Sequence, residues 1–295
     1  MHKIIPHLWF DTQAKEAVQL YTGLLPGSGI TSATTLPDTP SGNAESVSFE
    51  LAGQPFQAIS AGPYFRLNPS ISFMVACATA DEVDALWSVL AEGGSSTLMP
   101  LGEYPFSRRY GWIQDRFGLS WQPMLVDGEQ LQQIITPNLL FSGGVCGQAE
   151  EAVRFYAEIF PDSTVGFISR YGEGEARVEQ AKINFASFTL CGQSFTAMDN
   201  GYDADFGFNE ALSFMVRCKD QAELDYYWDR LSAVPEAEQC GWLKDRYGVS
   251  WQIVPEQLDR IMAEGSPEEI QRVTKAFLGM KKFDLAALEA AWSRE

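Results

Sequence analysis

Apolar positions recur along this chain at two spacings that alternate. Ile4–Phe10 is a short, mostly apolar run closed by Asp11, which predicts a strand. Ala14, Ala17, Val18, Tyr21, Leu24 and Leu25 then fall on one helix face, and Pro26-Gly27 stops that helix. Ile30–Leu36 predicts a second strand and residues 37–45 a turn-rich loop. Ser46–Leu51 and Pro55–Ser60 predict a hairpin around Ala52-Gly53-Gln54. A second unit follows in the same order. Ile71–Cys77 predicts a strand. Thr79 with Glu82 has capping-box spacing, and Val83, Leu86, Trp87 and Leu90 repeat at helical spacing up to Gly93-Gly94. Thr97–Met99, Arg109–Gln114 and Leu119–Met124 predict three more strands.

This whole pattern occurs twice. Residues 111–122 (GWIQDRFGLSWQ) return as residues 241–252 (GWLKDRYGVSWQ), identical at eight of twelve positions. Ser72-Phe73-Met74-Val75 returns as Ser213-Phe214-Met215-Val216, and Glu16-Ala17-Val18 returns as Glu151-Ala152-Val153. The offset wanders between 130 and 141, so loops differ while elements persist. The chain divides into a first copy at 1–130, a second at 131–254 and a tail at 255–295. In the tail, residues 255–263 predict a short helix stopped by Gly265. Ser266-Pro267-x-Glu269 starts an amphipathic helix with Ile270, Val273, Phe277 and Leu278 on one face, and Asp284 caps a last one. Packing over the two copies is the ordinary role for such helices.

Strands outnumber helices and only partly alternate with them. The fold class is therefore α+β, with a mixed, mostly antiparallel sheet, outer helices and a concave inner face suited to a small molecule.

Composition narrows the partners. The 21 basic and 39 acidic residues give a net charge of −18, which disfavours nucleic acid and anionic membrane. No apolar run is long enough to span a bilayer, and Met1–Asp11 has no secretory signal pattern. Five scattered cysteines fit a reducing cytoplasm better than a disulfide scaffold.

Candidate ligand contacts follow from residue type. Trp112 and Trp242 could line a pocket or simply fill core. The amides of Gln122 and Gln252 must find partners, whether a ligand or a neighbouring group. Cys240 is a candidate thiol against the more ordinary reading of a small hydrophobe. Asp115 and Asp245 read as turn starters before Gly118 and Gly248, not as catalytic acids. Of Arg108 and Arg109, alternating on a strand, one could face inward to an anion, with a solvated salt bridge as the plainer reading. No catalytic residue is assigned. There is no phosphate-binding glycine loop, no Ser-His-Asp set, and no strand followed by a glycine-rich turn that would cradle a nucleotide cofactor.

These motifs resemble the vicinal-oxygen-chelate (glyoxalase, bleomycin-resistance and dihydroxybiphenyl dioxygenase) superfamily. The nearest branch is the PhnB-like one, often labelled "3-demethylubiquinone-9 3-methyltransferase domain". The residues that carry the resemblance are Pro6-His7-Leu8-Trp9-Phe10, Gly62-Pro63 with Asn68-Pro69, and the repeated Gly-Trp-x-x-Asp-Arg motif. Residues 208–213 and the tail's 280–288 add to it. The resemblance implies tandem glyoxalase-like domains, each made of two strand–helix–three-strand units, with the halves forming a pseudo-dimer. A homodimer of whole chains stays open. It also implies metal-ligand positions at His7 and its copy Asn138, near Ser70 and Ala211, and at Gln122 and Gln252. One imidazole with neutral amides and serines holds a divalent ion poorly, so no metal and no cofactor are expected. The reading is a metal-independent small-molecule-binding protein that uses His7, Trp112, Gln122, Asn138, Cys240, Trp242 and Gln252. The alternative is an enzyme of the same superfamily: a metal-dependent lyase, isomerase or dioxygenase, or the methyltransferase of the label. A protein–protein module is the third class.

Overall fold

A computed structural model of the chain describes residues 2–39, 41–126, 128 and 133–293. The first copy supplies two units. One is β1 (Ile4–Phe10), α1 (Ala14–Leu24), β2 (Gly29–Thr39), β3 (Gly42–Leu51) and β4 (Gln54–Ser60). The other is β5 (Ile71–Cys77), α2 (Ala80–Leu90), β6 (Ser96–Tyr104), β7 (Ser107–Gln114) and β8 (Ser120–Leu125). The second copy repeats them as β9 (Ile135–Phe141), α3 (Ala149–Ile159), β10 (Thr164–Arg170), β11 (Ile183–Leu190) and β12 (Gln193–Asp199), then β13 (Leu212–Cys218), α4 (Gln221–Leu231), β14 (Trp242–Lys244) and β15 (Ser250–Pro255). The tail forms α5 (Glu256–Glu264), α6 (Pro267–Leu278) and α7 (Leu285–Trp292).

The sheets do not divide as the repeats do. A seven-stranded sheet runs β14-β15-β13-β1-β4-β3-β2, and an eight-stranded sheet runs β10-β11-β12-β9-β5-β8-β7-β6. Each takes one unit from each copy. The joins are antiparallel: β1 on β13, from Ile4↔Val216 to Leu8↔Leu212, and β5 on β9, from Ile71↔Leu139 to Val75↔Ile135. Without the exchange, β1 and β5 would each expose an unpaired edge.

Period-two alternation sorts side chains between two faces. Leu8 and Phe10 of β1, Phe56 of β4, Phe214 of β13 and Trp251 of β15 are buried in the helix-covered core with Ala14, Val18 and Tyr21 of α1. His7, Ser213 and Gln252 lie on the other, concave face. The repeated motif is a hairpin turn fixed by its aspartate. Asp245 Oδ1 accepts the backbone N–H groups of Tyr247 (2.9 Å) and Val249 (3.0 Å), and its Oδ2 accepts Trp251 Nε1 (2.9 Å) and the Tyr156 hydroxyl (2.7 Å). Asp115 does the same with Phe117, Leu119 and Trp121. Gly118 and Gly248 supply the positive φ that the turn needs.

Three local expectations change. Most of the expected loop at 37–45 belongs to one long hairpin, with Thr39 opposite Gly42. β2 is an edge strand with a register shift between Leu36 and Thr39. β6 likewise runs past Met99 to Tyr104, because Pro100 sits on an edge strand broken by bulges. At α2, Thr79 accepts the Glu82 N–H, but Glu82 reaches back to the N–H of Ala78 rather than Thr79.

The last unit lacks a counterpart of β6 among the described residues, and the tail takes its place. The N–H groups of Cys240 and Gly241 donate to the carbonyls of Met280 and Lys281, each at 2.8 Å. Phe283 packs where Gly241 has no side chain: a Cβ there would come within 2.4 Å of its ring. Lys282 pairs with Asp225 of α4 at 2.8 Å, and Asp259 of α5 pairs with Arg217. Val273, Phe277 and Leu288 are buried, as the expected apolar faces require. Among the described residues no helix is long and apolar enough to cross a membrane.

Candidate functional site

Strand exchange gathers six of the seven candidate residues into two places. On the seven-stranded sheet, His7 of the first copy stands opposite Ser213 of the second and beside Gln57. Gln252 Nε2 donates to Ser213 Oγ at 2.9 Å, and the Trp242 ring meets the His7 ring edge-on at 5.5 Å. On the eight-stranded sheet, Asn138 of the second copy stands opposite Ser72 of the first and beside Thr196, with Gln122 and Trp112 next to it. The registers match position for position, so Asn138 is the structural counterpart of His7.

The cross-strand partners correct one expectation. Ser70 and Ala211 precede their strands and use backbone groups to meet Leu140 and Trp9. The side chains that face His7 and Asn138 are Ser213 and Ser72, two residues further on. Serines on strands carry no chemical signature, yet Ser-Phe-Met-Val was repeated intact in both copies. Thr196, Gln57 and Tyr110 were also missed.

The two places differ in how their polar atoms are satisfied. On the eight-stranded sheet a closed network forms. The Tyr110 hydroxyl donates to Gln122 Oε1 (2.6 Å), and Gln122 Nε2 donates to Ser72 Oγ (2.7 Å). Asn138 Nδ2 also reaches Ser72 Oγ (3.4 Å), and the Thr196 hydroxyl donates to Asn138 Oδ1 (3.0 Å). Trp112 Nε1 donates to Ser120 Oγ at 2.7 Å. Met99, Tyr104, Met124, Met198 and Phe206 pack around Tyr110, Trp112 and Leu140. Beyond this plug the concave face holds a cavity of about 350 Å³, lined by Met74, Met124, Thr136, Phe185, Ser187 and Thr196 among others and, among the described residues, by no charged group.

On the seven-stranded sheet the network is open. His7 is 5% exposed and its Nδ1 has no partner. Ser250 Oγ, the counterpart of Ser120, is buried and unpartnered, because the Trp242 ring lies against His7 and Trp9 instead. Gln57 turns to Ser48. No hydrogen bond among the described residues reaches Gln252 Oε1. Phe65 and Tyr64 continue the aromatic wall from Trp9. Burial pulls the His7 pKa down to about 4, so the ring is neutral at pH 7.

Cys240 is the candidate that does not arrive. It adopts φ +52° at the turn before β14, and its Sγ donates to the Leu278 carbonyl under the tail at 3.7 Å. Burial raises its pKa, so it is a weak nucleophile. Arg109 pairs with Asp84 of α2 at 2.6 Å on the partly solvated outer face.

A metal does not fit either place. The four positions hold His7, Gln57, Ser213 and Gln252 on one sheet and Asn138, Thr196, Ser72 and Gln122 on the other, which is one imidazole among neutral oxygens and amides. No cluster of three His, Cys, Asp or Glu residues that could hold a metal occurs among the described residues.

A glycine-rich turn does follow β9, but it is not of the kind that cradles a nucleotide cofactor. Residues 142–148, between β9 and α3, contain Gly143, Gly144 and Gly147. The turn is already occupied by the protein's own carboxylate. Asp199, fully buried, accepts the N–H groups of Gly147 (2.7 Å) and Ala149 (3.1 Å) on one oxygen and those of Lys182 and Ile183 (each 3.0 Å) on the other. Two of the donors that a cofactor phosphate would use are thus taken by the protein's own carboxylate.

Comparison with known proteins agrees with the repeat. The family described as 3-demethylubiquinone-9 3-methyltransferase matches residues 2–124 and again residues 133–254. A putative 3-demethylubiquinone-9 3-methyltransferase, PhnB protein, from Bacillus cereus is 35% identical over 42% of this chain and 100% of its own, with a TM-score of 0.40. Glyoxalase I from Zea mays shares the fold at 8% identity, covering 77% of this chain and 80% of its own, with a TM-score of 0.51. A putative dioxygenase from Bacillus subtilis subsp. subtilis str. 168 does so at 12% identity, over 97% and 94%, with a TM-score of 0.50. No curated protein matches.

Proposed function

The chain belongs to the 3-demethylubiquinone-9 3-methyltransferase family, and we propose that it acts there as a metal-independent small-molecule-binding protein. The observation that carries this reading is the buried, unpartnered Nδ1 of His7 on a concave face walled by Trp9 and Trp242. A buried polar atom without a partner costs about 1–3 kcal/mol, and a ligand that supplies the partner recovers it. The donor set speaks against metal-dependent lyase, isomerase or dioxygenase chemistry, and Asp199 in the glycine turn speaks against a nucleotide cofactor there. The fused copies act as a pseudo-dimer, since each concave face needs both. The unpaired cysteines favour the cytoplasm as its place of work.

The test is a ligand-observed NMR screen of neutral metabolites, run with a chelator present and again with added divalent metal. Binding that survives the chelator and is lost in His7→Leu supports the reading. Binding that appears only with metal contradicts it.

A further inference from the structure

The two concave faces are copies of one design, so what fills one shows what the other accepts. On the eight-stranded sheet the Gln122 amide is held by a side chain of the protein: the Tyr110 hydroxyl, 2.6 Å from Oε1. That ring lies among Tyr104, Phe106 and Trp112, and it is nearly fully buried. On the seven-stranded sheet Gln252 keeps the matching bond to its serine, but the residue aligned with Tyr110 is Cys240, which turns away to the tail. The acceptor that Tyr110 meets in one copy has no protein donor in the other among the described residues.

Building on the small-molecule reading above, we infer that the His7 site takes an uncharged hydroxyl-bearing aromatic ring. Its O–H donates to Gln252 Oε1 as the Tyr110 O–H does to Gln122 Oε1, and its ring lies in the aromatic wall beside Trp242. Three further observations bear on the ligand. His7 Nδ1 and Ser250 Oγ, both buried and unpartnered, offer places for a second polar substituent. The aromatic groups Trp9, Phe65 and Trp242 favour a planar ligand. Charge is disfavoured. Lys244 and Arg217 on this face are already paired with Glu210 and Asp259, which weakens their hold on an anion.

The test is an NMR titration of the full chain with phenol, with anisole, which keeps the ring and oxygen but loses the donor, and with benzoate, which adds a charge. Signals of the His7 ring and the Trp242 indole report the site. Phenol should saturate at one equivalent, with anisole and benzoate at least about tenfold weaker, the worth of one hydrogen bond. In Tyr110→Ala the vacated place on Gln122 should take a second equivalent of phenol, and phenol should raise the melting temperature of that variant more than that of the wild type. Equal binding of phenol and anisole at His7 would overturn the hydroxyl class and leave the binding reading standing. So would other neutral metabolites that move His7 while phenol does not. If neither phenol nor any screened metabolite moves His7 or Trp242, both inferences fall.

Discussion

The imidazole of His7 meets the indole of Trp242 edge-on, ring centroids 5.5 Å apart and planes at 89°, although one belongs to the first copy and the other to the second. The site is therefore a property of the fused pair, and neither repeat can build it alone.

A polypeptide of residues 1–130 should accordingly not be a monomer. Its β1 and β5 would lack β13 and β9, but in a second copy they could pair with β5 and β1 in the same antiparallel registers. Light scattering should give twice the polypeptide mass. A stable monomer would show that the exchanged pairing is dispensable.

The titration of two buried groups should impose opposite slopes on stability. His7 has its pKa lowered to about 4 by burial, below the unfolded value of 6.5. The unfolded chain binds the extra proton between those values, so this group makes stability rise with pH from about 4 to 6.5. Asp245 has its pKa raised from 3.8 to about 6, by burial that outweighs its hydrogen bonds from Tyr156, Trp251, Tyr247 and Val249. Here the folded chain holds the proton, so stability falls as pH rises from about 4 to 6. Urea denaturation across pH 4–7 should give a steeper fall in His7→Leu than in the wild type, and a steeper rise in Asp245→Asn.

Asp245→Asn should also be less stable at every pH. Its new amide N–H₂ faces the Tyr156 hydroxyl and Trp251 Nε1, at about 1–3 kcal/mol for each donor left without an acceptor. A loss under about 0.5 kcal/mol would mean the turn is held by its backbone alone.

Gly241→Ala should undock the tail. The residue has φ +82°, and an added Cβ would press into the ring of Phe283 and lie 3.0 Å from the Ile253 carbonyl. The strain and overpacking together should cost about 2–4 kcal/mol. Proteolysis should cut near residues 278–284 faster than in the wild type. The same change at Gly53, where a Cβ meets nothing within 4 Å, should leave the tail protected.

Much of this architecture was legible because each face of each strand repeats every second residue. Ile4–Phe10 and Ile71–Cys77 were found with their observed bounds. The Asp-Arg-x-Gly turns were readable from turn chemistry. Which unit pairs with which was not, since β1 carries the same apolar alternation whichever copy it joins. The proline at 100 reads as a break, and only its place on an edge strand shows why it is tolerated. His7, Gln252 and Trp242 lie together on one concave face, and Asn138, Gln122 and Trp112 on the other. Cys240 joins neither, because the last unit lost its β6 counterpart and the chain turns towards the tail. The part played by Tyr110 shows only beside the open Gln252.

The account rests on a site that recognises its ligand without metal. Its most direct test is metal analysis of the purified, tag-free chain, with a thermal-shift titration against nickel, zinc, manganese and iron(II). We predict metal far below one equivalent and no rise in melting temperature. Near-stoichiometric metal, with a stabilisation that disappears in His7→Leu, would contradict the account and place a metal-dependent enzyme in its stead.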